Sequence, residues 1–246
     1  MDDEIQSLMR RDTQEIVLRK SVADQNVLPG TWSFKCKRKL DWTIRKFKAR
    51  YCVRGGIQKQ LSPKPLNSYS PVVQWATVRV ILILQCILGL QSQSIDFTNA
   101  FAQSDIPSGE PVFIELPRDF NSDGGQHEVV LKLNKSLYGQ AEAARLWYEK
   151  LRNGLSERGF VMSKVYPCLF MSKTVICVVY VDDCIFWARS QSDIDNVMKS
   201  FNEDGPRYNW EQSKGESVSE FLVIEIKTLD NGGFQFCQTG LIRKVL

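Results

Sequence analysis

A pair of carboxylates inside an apolar segment constrains this chain most. The sequence Val178-Val-Tyr-Val-Asp182-Asp183-Cys-Ile-Phe186 interrupts a long apolar run with two adjacent acids. Strands this apolar are normally covered, so we predict two buried strands, Val175–Val181 and Cys184–Ala188, that meet at the carboxylates. Two like charges about 4 Å apart repel by roughly 4 kcal/mol at an effective dielectric constant of about 20. A bound divalent cation would turn that repulsion into attraction, whereas the alternative is a solvated acidic hairpin tip.

A third carboxylate stands at the end of another predicted strand. Asp96 lies in the sequence Ser94-Ile-Asp-Phe-Thr-Asn-Ala-Phe101, near the end of a strand predicted over Ser92–Phe97. If Asp96 meets Asp182 and Asp183, the three carboxylates complete an all-oxygen site that suits Mg²⁺ or Mn²⁺. The alternative is that Asp96 only caps the turn that follows it.

The composition disfavours zinc sites, histidine-dependent catalysis, membrane insertion and secretion. The chain has 246 residues, one histidine (His127) and seven cysteines without a CxxC pair. Zinc sites and Ser–His–Asp or Cys–His catalysis are therefore disfavoured, and we predict that the cysteines are reduced thiols. The longest nearly apolar run, Val78–Leu90, is too short to span a bilayer, so we predict a core helix and no membrane association. Met1–Arg11 lacks the apolar segment of a signal peptide, and we expect a cytoplasmic protein.

Positive charge is concentrated in one segment. Residues 30–64 contain seven lysines and four arginines but only one acid, Asp41, in a chain whose net charge is +4. A basic segment on a more acidic body is typical of polyanion binding, although a solvated basic face gives the same pattern. Apolar and polar residues alternate over Thr31–Val53, which predicts a β-hairpin with cations on its solvent side.

The remaining periodicity predicts an α+β fold. We predict an amphipathic helix over Met1–Lys20, a loop over Gly55–Ser70 and an apolar helix over Thr77–Leu90. Further predictions are helices over 141–159 and 192–201, the second capped by Ser192, strands over 107–116 and 129–133, a loop over 121–126 and a hairpin over 221–238. This order favours an antiparallel sheet with helices on one face and the basic hairpin as a separate lobe.

Nine blocks stand in one order along the chain from Trp32 onward: WSFKCKRK, KFKARYCVRGG, YSPVV, the apolar helix, IDFTNAF, LNKSLYG, ARLWYEKL, YVDDCIF and FLVIEI. In that order they resemble the reverse transcriptase domain of copia-type long-terminal-repeat retrotransposons. The resemblance implies a right-handed polymerase fold with palm and fingers and a thumb that is largely absent. It divides the chain into an N-terminal helix and linker (1–30), a fingers-like basic hairpin and loop (31–75) and a palm (76–246), with a fingers segment at about 107–140.

The resemblance also implies the roles of individual residues. Asp96 and Asp182 would bridge two Mg²⁺ or Mn²⁺ ions, with Asp183 beside them. The implied nucleotide-binding positions are Lys48 and Arg50 for the triphosphate, Phe101 under the incoming sugar, and Tyr138 and Gly139 in the pocket. The implied nucleic-acid-binding residues are Lys35, Lys37, Arg38 and Arg54.

Several of these roles have alternatives. Lys48 and Arg50 could supply general attraction for the nucleic-acid backbone, and Phe101 could be a core residue. Trp147 and Tyr148 have helical spacing with Leu151 and are predicted to be core residues rather than stacking platforms.

The sequence departs from the family pattern at three places. Ala102-Gln103-Ser104 replaces Leu-Asn-Gly, Ala144 stands where proline is usual, and Val223 replaces a common glycine. These changes leave the three aspartates intact. We therefore expect an RNA-directed DNA polymerase domain that uses template-primer and deoxynucleoside triphosphates as part of a retrotransposon polyprotein. An inactive remnant that only binds nucleic acid is the main alternative, and an unstable pseudogene product is a third.

Overall fold

The computed structural model describes residues 2–38, 43–117, 128–212, 220–221, 224–229, 233–238 and 242. The predicted hairpin turn at 39–42, the loop at 121–126, His127 and Val223 lie outside these residues. The chain divides into two compact units, residues 1–70 with 99–150 and residues 71–98 with 151–246. Each unit has its own sheets and its own apolar core. The division into fingers and palm stays a prediction.

The described helices and strands follow in chain order. The helices are α1 (Asp2–Arg10), α2 (Gly55–Leu61), α3 (Trp75–Leu88), α4 (Ala143–Glu157) and α5 (Gln191–Glu203). Short 3₁₀ helices cover Arg19–Val22, Ala100–Gln103 and Gly205–Arg207. The strands are β1 (Gln14–Leu18), β2 (Val27–Leu28), β3 (Gly30–Arg38), β4 (Ile44–Val53), β5 (Gln91–Phe97), β6 (Val112–Ile114), β7 (Val129–Leu133), β8 (Val161–Met162), β9 (Leu169–Met171), β10 (Val175–Tyr180), β11 (Asp183–Ala188), β12 (Trp210–Gln212), β13 (Glu220–Phe221), β14 (Ile224–Thr228) and β15 (Phe234–Cys237).

The first unit contains a four-stranded sheet and a separate two-stranded ribbon. The strand order in the sheet is β1-β7-β6-β2, antiparallel except for the parallel pair β2–β6. The ribbon is the antiparallel pair β3–β4, which confirms the predicted hairpin. Trp32 and Phe34 lie on the face of β3 opposite to Lys35, because successive side chains of a strand alternate between its faces. This alternation also specifies the register, since a slip of one residue would exchange the two faces.

The second unit is built on a six-stranded antiparallel sheet in the order β12-β5-β11-β10-β9-β8. The hairpin β10–β11 forms its centre, and most residues of both strands are buried, as the apolar sequence predicts. A second antiparallel sheet, β13-β14-β15, includes the last predicted hairpin.

Helices pack against both faces of the six-stranded sheet, so the prediction of helices on one face is wrong. Ile81 of α3 belongs to the same core as Ile185 of β11. Ile185 pairs with Ser94, which leaves Phe97 on the opposite face of β5. There, the ring of Phe97 lies 5.7 Å from the ring of Phe201 in α5. Both faces accept a helix because β11 is apolar at every position after Asp183, and a strand of that kind is covered on both sides.

The predicted helix over Met1–Lys20 is wrong beyond Arg10. Helix α1 ends there, Asp12 has a φ of 52°, and the chain continues into β1. The Thr13 hydroxyl donates to the Leu8 carbonyl oxygen over 2.8 Å, which satisfies one acceptor at the helix end. The backbone of β1 then pairs with β7, and the β-branched residues Ile16 and Val17 suit a strand.

Two other local predictions are wrong. The segment Gly55–Ser70 is not all loop, because it begins with α2, whose Gln58 side chain accepts a hydrogen bond from the Ala141 N–H over 2.8 Å. Ser190, not Ser192, caps α5, and its side chain accepts a hydrogen bond from the Ser192 N–H.

Helix α3 is confirmed, and it ends at Gly89 with the left-handed φ of 63° that favours glycine. It is not a fully buried core helix, however. Val80, Ile83 and Ile87 on one side are 54%, 58% and 70% exposed, whereas Ile81 and its neighbours face the sheet. Within the described ranges, we find no helix with the length and apolar character needed to cross a membrane.

Candidate active site

The two adjacent aspartates lie at a tight hairpin turn in the second unit. Tyr180 pairs with Asp183, so Val181 and Asp182 are the two central residues of the turn. Val181 has a φ of 54°, as at the first central position of a type II′ turn, where glycine is normally preferred. The Phe97 N–H donates to the Asp182 carbonyl oxygen over 2.8 Å and ties the turn to β5. Neighbouring strands thus hold a backbone conformation that valine would otherwise avoid.

Asp183 and Asp96 stand side by side in the sheet. They are directly paired residues of β11 and β5, which gives their Cβ atoms a separation of about 4.5–5.5 Å on the same face. Asp96 is exposed, and Asp182 and Asp183 are half-buried. The tertiary structure therefore brings together the backbone positions of the three predicted carboxylates.

A fourth acid completes this row and was missed from the sequence. Glu211 of β12 pairs directly with Asp96 on the strand edge opposite to Asp183. Asp183, Asp96 and Glu211 therefore lie side by side across three adjacent strands. The sequence contains no signal for Glu211, because β12 has only three residues and its partner strand is more than a hundred residues earlier.

The donor chemistry of this acidic row suits a hard divalent cation, because every member offers carboxylate oxygens. In the part of the chain that the structure describes, however, no three His, Cys, Asp or Glu side chains are arranged as a metal-binding group. The predicted site for two metal ions therefore stays a prediction.

Buried thiols lie directly behind the acidic turn. Cys184 is completely buried, and this burial raises the pKa of its thiol well above the ordinary value. The hydrogen bond with Cys177 and the charges of Asp183 and Asp182 raise the pKa of Cys184 further. All seven cysteines are thiols rather than disulfides. The residues packed beneath the carboxylates are therefore apolar and uncharged.

Three predicted nucleotide-binding residues form a contact chain in the first unit. The Arg50 guanidinium carbon lies 4.1 Å from the centre of the Tyr138 ring, and the Arg50 Nη2 lies 3.5 Å from the Tyr138 hydroxyl. The Phe101 ring stands edge-on to Tyr138 at 5.0 Å between centroids. Arg50 Nε is buried without a hydrogen-bond partner among the described residues. A planar cation on an aromatic ring with an unused donor is suited to binding an anion.

Further cations extend along the same face of the ribbon. Lys48 and Arg50 are two residues apart on β4, and Lys35 pairs directly with Lys48 across the ribbon. The backbones of Lys37 and Arg38 continue β3, but their side chains lie outside the described part. Arg54 is exposed at the start of α2.

Gly139 allows two backbone segments to approach closely. It has a φ of +82°, and a Cβ at this position would lie 2.2 Å from the Val53 carbonyl oxygen. The Val53 N–H donates to the Tyr138 carbonyl oxygen over 2.8 Å at the same contact. Gly139 therefore holds Tyr138 against β4, which gives it a packing role beside its predicted role in the pocket.

The predicted core residues of α4 are buried. Trp147 is 1% exposed and Tyr148 is 8% exposed. This confirms that both are core residues and not platforms for bases.

Comparison with known proteins gives one consistent result. The family described as "Reverse transcriptase (RNA-dependent DNA polymerase)" matches residues 13–246. The chain is 30% identical over 211 residues to the Retrovirus-related Pol polyprotein from transposon TNT 1-94 of Nicotiana tabacum, which covers 82% of the chain. It is 28% identical over 205 residues to the Retrovirus-related Pol polyprotein from transposon RE1 of Arabidopsis thaliana, again 82% of the chain. It is 26% identical over 224 residues to the Transposon Ty1-ER2 Gag-Pol polyprotein of Saccharomyces cerevisiae, or 88% of the chain.

The matched part is a small share of these relatives. The alignments cover 15%, 13% and 12% of the tobacco, Arabidopsis and yeast polyproteins, respectively. The match to the family extends over nearly the whole chain, and the relatives are Pol polyproteins of retrotransposons. The resemblance noted in the sequence is therefore confirmed, and the chain belongs to the reverse transcriptase family of copia-type long-terminal-repeat retrotransposons.

Proposed function

We propose that this chain is an RNA-directed DNA polymerase domain that adds deoxynucleotides to a primer 3′ end. The observation that carries the proposal is the pairing of Asp183 with Asp96, next to the tight turn that holds Asp182, in a member of the reverse transcriptase family. Adjacent carboxylates on an apolar sheet repel one another unless a cation compensates them. Their shared location therefore favours a function that uses divalent cations.

The proposed reaction assigns the three aspartates to metal binding. Asp96 and Asp182 would hold two Mg²⁺ or Mn²⁺ ions, with Asp183 beside them. Bound ions of this kind lower the pKa of an attacking hydroxyl and neutralise charge on a triphosphate and its leaving group. The contribution of the chain is to fix the carboxylates: the Phe97–Asp182 hydrogen bond holds the turn, and the apolar strands beneath it keep water away from one side.

We assign nucleotide binding to cationic and aromatic side chains of the first unit. Lys48 and Arg50 would bind the triphosphate, and Tyr138 would orient the Arg50 guanidinium by stacking. Phe101, packed edge-on against Tyr138, would lie under the sugar and exclude a ribose 2′-hydroxyl. Phosphoryl transfer depends mainly on positioning and charge neutralisation, so such a site needs no histidine.

The nucleic-acid and polyprotein partners follow from charge and from the relatives. Lys35, Lys37, Arg38 and Arg54 would contact phosphates of the template-primer. Because the relatives are Pol polyproteins, we propose that the chain acts within a longer polyprotein in cytoplasmic retrotransposon particles.

A catalytically inactive remnant that only binds nucleic acid is the second candidate. It is favoured by the departure from the family pattern at Ala102-Gln103-Ser104. Both candidates predict binding to nucleic acid, so only chemistry distinguishes them.

The deciding experiment is extension of a labelled DNA primer on an RNA template, first with Mg²⁺ and then with Mn²⁺. The double variant Asp182→Asn/Asp183→Asn should lower the extension rate at least about 100-fold. The loss of carboxylate charge would weaken the binding of the ions that activate the primer hydroxyl. The matched control is Asp195→Asn, which makes the same change on α5 of the same unit, away from the turn.

Each outcome has one meaning. Extension that is lost in the double variant and kept in Asp195→Asn supports the polymerase. Extension that persists in the double variant refutes the metal assignment. Salt-sensitive binding to the same duplex without any extension favours the inactive remnant.

A further inference from the structure

Phe97 connects two of the carboxylates that are predicted to bind metal. It follows Asp96 directly in β5, and its N–H donates to the Asp182 carbonyl oxygen over 2.8 Å. Its side chain points to the face of the sheet opposite to Asp96, where it is completely buried. The placement of this one residue therefore affects the positions of both aspartates.

The Phe97 ring belongs to a cluster of three buried aromatic rings in the second unit. It lies 5.7 Å from the ring of Phe201 in α5 and 6.2 Å from the ring of Tyr208, between centroids. Phe201 and Tyr208 are 5.2 Å apart, and all three contacts are edge-to-face, an arrangement that aromatic pairs prefer. Because protein interiors are close-packed, a displacement of Phe201 or Tyr208 would be transmitted to Phe97.

A buried arginine covers this aromatic cluster. The Arg158 guanidinium carbon lies 3.9 Å from the centre of the Phe201 ring and 5.3 Å from the centre of the Tyr208 ring. The Arg158 side chain is only 9% exposed. A cation over an aromatic face is attracted to the ring, and more strongly when water is excluded. Arg158 therefore holds together the two rings that pack against Phe97.

The Arg158 guanidinium is itself fixed by hydrogen bonds from each of its three nitrogens. Nε donates to the Ser200 hydroxyl over 2.9 Å, and Nη1 donates to the Gly154 carbonyl oxygen over 2.8 Å. Nη2 donates to the Ser200 carbonyl oxygen over 2.9 Å and to the Asp204 carboxylate. A planar guanidinium with its donors engaged in this way has one orientation. It joins the end of α4 to the end of α5, although the proposed reaction does not use its charge.

We propose that Arg158 is a positioning residue for the predicted metal site. It fixes the aromatic cluster, the cluster fixes Phe97, and Phe97 fixes Asp96 and the turn that carries Asp182. This inference rests on the proposed function, because it assumes that these aspartates bind Mg²⁺ or Mn²⁺. Outer contacts that orient metal ligands affect the affinity for the ion without coordinating it. Substitution of Arg158 should therefore weaken metal binding while every carboxylate is still present.

The test is the binding of Mn²⁺ to the full chain, measured from the electron paramagnetic resonance signal of free Mn²⁺. Arg158→Gln should raise the dissociation constant about three- to tenfold, the size expected for an effect transmitted through intervening residues. Arg158→Lys keeps the charge but not the planar fork, so its dissociation constant should lie between those of the parent chain and Arg158→Gln. The matched control is Arg152→Gln, which makes the same change at an exposed position of α4 and should stay within about twofold of the parent chain.

A second measurement separates positioning from stability. Removal of a buried arginine also destabilises the chain, so thermal unfolding is used to choose a temperature at which each variant is folded. There, primer extension is measured against Mg²⁺ concentration. A positioning role raises the Mg²⁺ concentration that gives the half-maximal rate, whereas a purely structural role lowers the maximal rate alone. Arg158→Lys provides the same comparison if Arg158→Gln does not fold.

A double-mutant cycle tests the route through the aromatic cluster. Phe201→Leu should also weaken Mn²⁺ binding, and its combination with Arg158→Gln should weaken it little further, because both changes act on the same contact. Fully additive effects would refute this route.

The outcomes distinguish this inference from the function on which it rests. If Asp182→Asn weakens Mn²⁺ binding but the folded Arg158 variants do not, the inference is overturned and the metal site remains. If neither Asp182→Asn nor the Arg158 variants weaken Mn²⁺ binding, both are overturned.

Discussion

A single methyl group at Gly139 tests the packing that holds the predicted nucleotide site. The residue has a φ of +82°, and an added Cβ would lie 2.2 Å from the carbonyl oxygen of Val53. The left-handed conformation alone costs an alanine about 1–2 kcal/mol relative to glycine. The collision adds to this cost, because the opposing atom belongs to a backbone that the Val53–Tyr138 hydrogen bond holds in place. We therefore expect Gly139→Ala to lower the free energy of unfolding by about 3–4 kcal/mol.

Urea unfolding followed by tryptophan fluorescence measures this loss, and two glycine variants separate its causes. Gly89→Ala carries the same left-handed cost at a φ of +63° but has nothing within 4 Å of the new Cβ, so we expect a loss of only about 1–2 kcal/mol. Gly56→Ala, in α2, has open space and no left-handed φ, and should be neutral or stabilising by up to about 1 kcal/mol. The reasoning fails if Gly139→Ala is no more destabilising than Gly89→Ala.

Two further predictions concern an aromatic ring and a thiol. Phe101→Val removes the ring that packs against Tyr138. We therefore expect the ratio of ribonucleotide to deoxynucleotide incorporation, measured by primer extension, to rise by about tenfold or more. An unchanged ratio would show that Phe101 is a core residue and does not select the sugar. Burial raises the pKa of the Cys168 thiol to about 11. Iodoacetamide at pH 8 should therefore modify the exposed Cys36 long before Cys168, as measured by peptide mass spectrometry. Early modification of Cys168 would contradict its burial.

Elements with strong local patterns could be predicted from the sequence. The continuous apolar residues on either side of Asp182 specify two covered strands, and the alternation around Trp32 and Phe34 specifies the ribbon β3–β4. Gly89 ends α3 because glycine alone adopts a left-handed φ at little cost. In each case the determining residues are neighbours in the chain, so a period or a single side chain carries the information.

Elements that depend on distant partners could not be predicted in the same way. Gln14–Leu18 has helical periodicity when it is considered alone, yet its backbone pairs with β7, more than a hundred residues later. Helix α2 is supported by a hydrogen bond from Ala141 to Gln58, which no local pattern indicates. Tertiary hydrogen bonds of this kind outweigh the small differences in local propensity.

The sequence by itself determined the identity of the predicted site residues, the apolar strands that carry the aspartates, and the family to which the chain belongs. Only the tertiary structure decided that Glu211 joins Asp96 and Asp183 in one row and that Arg50 and Phe101 both contact the Tyr138 ring. The physical reason is that local patterns record which face of a strand or helix is apolar. They do not record which distant segment pairs with it, and strand register and core packing are what place charged side chains beside one another.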